Sequence, residues 1–161
     1  MDEDAFVDAI AHVFEHSPWI ARRAHAKRPF ASVAALHDAL VDTVRVAAES
    51  EKLALIRAHP DLVGKMAREG GLTRESTAEQ RAAGLAALSA DEVEQFDRYN
   101  AAYRDRFGFP FVICARENKK DAILAAFPPR LANTREREID AALDEIYKIA
   151  RLRLIDAIQE D

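Results

Sequence analysis

The sequence predicts an all-α fold, and three features of the 161 residues predict it. Glycine is scarce, with five residues, alanine is abundant, and no stretch alternates cleanly between apolar and polar residues. Such a composition favours helix and offers little to a half-buried sheet. Apolar residues make up 49% and charged residues 32%, enough for a packed core and unlike a disordered chain. The length suits one domain, 1–161, with no internal repeat or linker.

The first helix is expected from about Asp4 to His16, with Phe6, Ile10, Val13 and Phe14 at helical spacing. Ser17-Pro18 ends or restarts it, and Trp19-Ile20 opens a second short piece. After a break at Pro29-Phe30, Ser32 caps a helix whose stripe is Val33, Leu36, Leu40, Val44 and Ala47. Ser50 is read as the cap of the next helix, which stops near His59 because Pro60 disfavours helical geometry before it. A short helical turn is expected over 61–71, closed by Gly70-Gly71. Ser76 and Glu79 read as a capping box that starts a helix through Leu88. Ser89 and Glu92 repeat the box and start a longer helix with Val93, Phe96, Asn100 and Tyr103 on one side and Gly108 as its stop. FGFPFVICA, 107–115, carries no charge and reads as a short buried extended segment. A helix from about Asn118 to Phe127 is expected to stop at Pro128-Pro129. Asn133 is then expected to cap a last helix to about Ile158.

Several classes of function are disfavoured. The net charge of −5 repels phosphate backbones, so no nucleic-acid partner is expected. No apolar run approaches the roughly 18 residues needed to span a bilayer. The acidic N-terminus is unlike a signal peptide and the chain ends IQED, so the expectation is a cytoplasmic protein with no membrane partner. The single cysteine, Cys114, allows no internal disulfide and reads as a buried inert thiol. There is no phosphate-binding glycine loop, no G-x-S-x-G and no lysine in a recognisable Schiff-base setting, so no organic cofactor is expected.

Four features carry chemistry. His59, fixed at a helix end by Pro60, suits proton transfer, or it satisfies the last helix carbonyls. Glu79 is either a cap for Ser76 or, with Ser76 and Gln80, part of an anion site at a helix N-terminus. On the last helix Ile139, Leu143, Ile146, Ala150 and Ala157 form an apolar stripe, and Arg153 lies within about 40° of its centre. A buried guanidinium must find either a structural carboxylate or an anionic ligand. Finally, His12-Val13-Phe14-Glu15-His16 matches H-x-x-E-H, a zinc-hydrolase pattern with two histidines one helical turn apart. No third ligand is identifiable, so no metal is expected. A non-catalytic helical interaction module is the other alternative.

Taken together, five stretches resemble one family: FEHSPWIA (14–21), AHPDLVGKMA (58–67), LTRESTAEQRAAGL (72–85), FDRYNAAYRDRFGFPFVICAR (96–116) and EIDAALDEIYKIARLRL (138–154). The family is the 2-oxo-4-hydroxy-4-carboxy-5-ureidoimidazoline (OHCU) decarboxylases of urate degradation. The resemblance implies an all-helical homodimer that converts OHCU to (S)-allantoin without a cofactor. It further implies His59 as the catalytic histidine with Pro60 lining the pocket, Glu79 as its acidic partner, and Ser76 and Gln80 as ligand contacts. It assigns substrate contact to the segment Phe111, Val112, Ile113, Cys114 and Ala115, and makes Arg153 the pocket arginine. Residues 117–137 carry little of the family signature.

Overall fold

The computed structural model describes residues 2–64 and 70–159, and among them there is no β-strand. The described residues form eight α-helices, in order: α1 (Glu3–Ile10), α2 (Trp19–Ala24), α3 (Val33–Arg45), α4 (Glu49–Arg57), α5 (Arg74–Ala82), α6 (Ala90–Phe107), α7 (Lys120–Leu131) and α8 (Arg135–Gln159). The expected all-α class is the observed one. The chain folds into two compact units. One comprises Met1–Ala58 with Tyr147–Asp161, the other His59–Ile146, and α8 runs through both.

In the first unit α1 and α3 both pack on α2. Phe6, Ile10, Ile20, Leu40 and Val44 of these helices, Phe14 between α1 and α2, and Leu55, Ile56, Ala150 and Leu154 are buried in its core. Ser32 caps α3 as expected, its side chain accepting from Ala35 N–H at 3.0 Å. Two boundaries differ. α1 ends at Ile10 and a 3-10 turn, Ala11–Val13, takes over, so the helix does not reach His16. α4 begins at Glu49, two residues earlier than a cap at Ser50 implies: Ala48 is the cap residue and Glu51 reaches back to its N–H at 3.3 Å. The glutamate carboxylate does the capping that Ser50 was expected to do.

In the second unit an aromatic cluster forms the core. Phe111 stacks on Phe127 with ring centroids 3.9 Å apart, and Tyr103 packs edge-on to Phe109 and Phe111. α6 has the expected capping box, with Ser89 accepting from Glu92 N–H and Glu92 from Ser89 N–H. It also has the expected glycine stop, Gly108 at φ 78°. The segment after it is extended and buried as far as a 3-10 turn at Ala115–Glu117. Three expectations here are corrected. Pro128 and Pro129 lie inside α7, where the helix regains its pattern as Ala132 N–H donates to Pro128 O. Thr134, not Asn133, starts α8, its side chain accepting from Arg137 N–H, while Asn133 turns to Glu138. Thr73, not Ser76, caps α5, which ends at Ala82 rather than Leu88. The turn expected over 61–71 falls partly on 65–69, outside the described residues.

Candidate functional site

α4 ends at Arg57 with Ala58 as its cap residue, and Pro60 cannot supply the N–H that would carry the helix further. His59 is thereby left at a fixed break in the chain, and it is 6% exposed. The backbone then turns sharply. Val63 adopts φ 57°, the left-handed region that β-branched residues rarely enter. At Gly64 an added Cβ would lie 2.8 Å from Asp61 Cβ, so only glycine fits there.

α5 is built against this turn. Thr73 Oγ1 accepts from Ser76 N–H at 3.2 Å, which makes Ser76 the third helical residue and takes Glu79 out of the expected capping box. Ser76, Glu79 and Gln80, at i, i+3 and i+4, share one face. Ser76 and Gln80 are buried and Glu79 is half-buried. Gln80 Oε1 accepts from Val63 N–H at 3.1 Å and its Nε2 donates to Asp61 O at 3.5 Å, so the carboxamide clasps the turn directly after His59-Pro60.

The other end of α5 meets the extended segment. Lys119 Nζ donates to Ala82 O at 2.6 Å and Lys120 N–H to Ala83 O at 3.2 Å, and α5 packs on the turn Ala115–Glu117. Phe111, Val112, Ile113, Cys114 and Ala115 are all buried. Burial pushes the Cys114 thiol up to about 11, with the Glu117, Glu145 and Glu79 carboxylates adding to the effect. The thiol is buried, as expected, and held in its protonated form, and the Glu79 carboxylate is close enough to be felt electrostatically at Cys114.

A buried polar network holds this segment in place. Glu138 is fully buried and accepts from Tyr103 Oη at 2.7 Å, Arg130 Nε at 2.8 Å and Asn133 Nδ2 at 3.0 Å. Burial and the bond to Glu138 raise the Tyr103 phenol well above its ordinary value, so it stays a donor. Arg130 also donates to Val112 O at 2.6 Å and lies over the Phe111 ring, while Glu145 accepts from Cys114 N–H at 3.2 Å.

The second unit therefore holds every expected site residue but one. Arg153 belongs to the first unit and is 4% exposed. Its Nη2 donates to Glu15 Oε1 at 2.9 Å and its Nη1 to His12 O at 3.1 Å. Of the two partners left open for it, the structural carboxylate is present. The same pair undercuts the zinc pattern. His12 lies in a 3-10 turn, His16 has φ 47°, and Glu15 is buried against Arg153, so the helical spacing that would aim both histidines at one ion is lost.

A family model described as OHCU decarboxylase matches residues 1–155. The chain belongs to the OHCU decarboxylase family. It is 43% identical over its whole length to a Haloferax volcanii protein named 2-oxo-4-hydroxy-4-carboxy-5-ureidoimidazoline decarboxylase, covering 94% of that protein. It is 42% identical, over 99% of its length, to the Bacillus subtilis uric acid degradation bifunctional protein PucL, of which it covers 32%. A crystal structure of (S)-allantoin synthase superposes with a TM-score of 0.74 at 28% identity, over 98% of this chain and 51% of that one.

The site roles that the resemblance to OHCU decarboxylases implies leave out residues that hold the site together. Asn100 donates to Leu62 O at 2.8 Å, and Arg104 Nε lies 3.0 Å from both Asp61 carboxylate oxygens. Both stand on one face of α6 and both grip the turn after His59-Pro60. Asn100 was detectable as an amide within the stripe Phe96, Asn100, Tyr103, the kind of anomaly that singles out Arg153. Arg104, Arg130 and Glu145 carry no such mark.

Proposed function

We propose that this chain acts within urate breakdown as a decarboxylase that converts OHCU to (S)-allantoin and CO2, with His59 in proton transfer and Glu79 as its partner. One observation carries the reading. The His59-Pro60 break, the Ser76-Glu79-Gln80 face and the segment 111–115 belong to one compact unit and are tied to one another by Gln80, Lys119 and Lys120. Family membership, and relatives whose names state this activity, support the substrate.

The chemistry asks little beyond positioning. The bond from the ring carbon to the carboxyl group breaks, and its electron pair passes into the neighbouring unsaturated group of the ring, whose heteroatom takes up a proton as CO2 leaves. The hydroxyl on the same carbon gives up its proton and becomes a carbonyl. A proton added to one face of the adjacent carbon completes (S)-allantoin. Since the substrate is its own electron sink, the reading invokes no cofactor. What it needs is an oriented proton donor and fixed polar contacts to the ring. His59 supplies the first. Ser76, Gln80 and the peptide groups of Phe111 to Ala115 supply the second, with Pro60 lining the pocket. Within that segment Arg130, Glu145 and Asn118 already hold Val112 O, Cys114 N–H and Cys114 O, which leaves ring contact to the remaining peptide groups.

Arg153 keeps its proposed role as anchor of the anionic substrate on the family resemblance, with its Glu15 pair as a structural role beside it. We read residues 1–161 as one functional domain and the protein as a cytoplasmic homodimer acting on a small molecule, without nucleic-acid or membrane partners. The net charge of −5 supports the exclusion of nucleic acid. Among the described residues no helix is long and apolar enough to cross a membrane.

The experiment is to generate OHCU freshly from urate and follow the optical activity of the allantoin formed. The wild-type protein gives faster formation with an (S) excess over the racemic spontaneous product. His59→Asn loses on the order of 10²–10⁴-fold of that rate. Unchanged stereospecific turnover in His59→Asn refutes the role of His59.

A further inference from the structure

Asn100 stands out among the side chains that grip the turn after His59-Pro60. It sits midway along α6 between the buried Phe96 and Tyr103 and is 6% exposed. Its Nδ2 donates to Leu62 O at 2.8 Å, and among the described residues its Oδ1 has no hydrogen-bond partner. A buried acceptor left in that state is costly, and an apolar side chain at the same place in the stripe would avoid the cost. What the amide achieves in return is its hold on Leu62.

That hold falls at a strained point of the chain. The next residue, Val63, has φ 57°, and such a conformation persists in a β-branched residue only where the surroundings over-determine it. Here they do. Gln80 takes the Val63 N–H, Asn100 the Leu62 carbonyl and Arg104 the Asp61 carboxylate, so three consecutive residues are each fixed by a different side chain. Only Pro60, whose ring locks its own φ, separates them from His59. Any shift of this turn is therefore passed to the histidine.

We propose that Asn100 is a positioning residue for the reaction: by holding Leu62 O it keeps the strained turn closed and fixes the backbone that carries His59. The inference rests on the reading of His59 as the proton-transfer group. A structural role alone would be to satisfy a buried carbonyl, with no consequence for turnover in the folded protein.

The test is Asn100→Leu, which removes the donor and keeps the branching and the number of side-chain heavy atoms. In the folded variant, kcat for (S)-allantoin formation falls on the order of 10- to 100-fold, the loss expected for a misplacement of about 1 Å. KM stays near the wild-type value because no substrate contact is removed. Amide exchange at Val63 and its neighbours accelerates. Ile123→Val, at another fully buried position of the same unit, serves as the destabilised control and keeps the wild-type kcat. Should the leucine variant fail to fold, Asn100→Asp has nearly the same shape, replaces the donor by an acceptor, and gives the same split. Wild-type kcat and KM in the folded variant, with only Tm lowered, overturn the proposal. A wild-type protein without activity on OHCU removes the proposed function and this inference with it. An active wild type beside an unimpaired Asn100 variant removes the inference alone.

Discussion

Arg153 and Glu15 form the most deeply buried ion pair bearing on the site residues, and their removal separates anchoring from architecture. Their side chains are 4% and 1% exposed and meet at 2.9 Å, with His12 O accepting a second guanidinium N–H. Arg153→Met leaves the Glu15 carboxylate in the core without its main counter-charge, and breaking a buried pair from one side costs about 3–5 kcal/mol. At about 2–4 °C per kcal/mol for a chain of this length, Tm falls by roughly 6–20 °C. Glu15→Met from the other side strands the guanidinium and costs a similar amount. The double variant Glu15→Met/Arg153→Met leaves neither charge behind and regains most of the loss, because a buried pair replaced by apolar side chains is often close to neutral. Urea unfolding of the four proteins, followed by circular dichroism, measures the cycle. Parallel kcat/KM measurements on OHCU, well below each Tm, decide the function of the arginine. If Arg153 anchors the substrate, the double variant regains stability and stays impaired. If it is architectural, activity returns with stability. An Arg153→Met variant within about 1 kcal/mol of wild type would refute the reasoning, since a pair worth that little behaves as a surface pair does.

Gly108→Ala tests the left-handed stop of α6: an added Cβ meets nothing within 4 Å, so the cost is conformational, about 1–2 kcal/mol, read as a lowered urea midpoint with catalysis intact. A larger loss would mean that packing at this position matters as well. Cys114 resists thiol reagents at pH 8 in the folded protein and reacts once urea unfolds it; labelling of the native protein contradicts its burial. Because its thiol is raised to about 11 on folding, its contribution to stability is constant below the ordinary thiol value near 9 and is lost as pH rises from there towards 11. Urea midpoints across that window show an additional decline in wild type that Cys114→Ala lacks.

The sequence reveals helix ends wherever a side chain meets its own backbone nearby. Ser32, the Ser89–Glu92 box and Gly108 act where their spacing says they act. It misleads where two local solutions compete and packing chooses between them. Both Thr73 and Ser76 could cap α5. Ser76 and Gln80, however, are buried one turn apart with Gln80 on the Val63 turn, and that face requires the helix to begin earlier, at Thr73. Pro128 and Pro129 remove two helical hydrogen bonds, yet α7 continues through them. Phe127 is stacked between Phe111 and Tyr99, and Arg130 is fixed on Glu138 and Val112, so tertiary contacts on both sides outweigh a local preference.

For the site, one criterion works and its reach is limited in a definable way. A polar side chain on a stripe that spacing marks as apolar must have a partner, because its burial is otherwise too costly. Arg153 meets that criterion, and so does Asn100, whose place between Phe96 and Tyr103 is as visible in the sequence as the arginine's. Neither partner is visible. Glu15 lies 138 positions from Arg153, and Leu62 lies 38 from Asn100 and contributes only a backbone carbonyl, which every residue carries. Periodicity thus locates a buried polar group without saying whether a carboxylate, a carbonyl or a substrate satisfies it. Arg104 and Glu145 escape even the first step, since a charged residue at a helix position that spacing leaves polar looks like any solvated one. Their roles, on Asp61 and on Cys114 N–H, exist only once the Val63 turn and the extended segment are in place. The residues readable in this sequence are those whose burial conflicts with their chemistry, and the supporting residues around His59 become readable only through the backbone they hold.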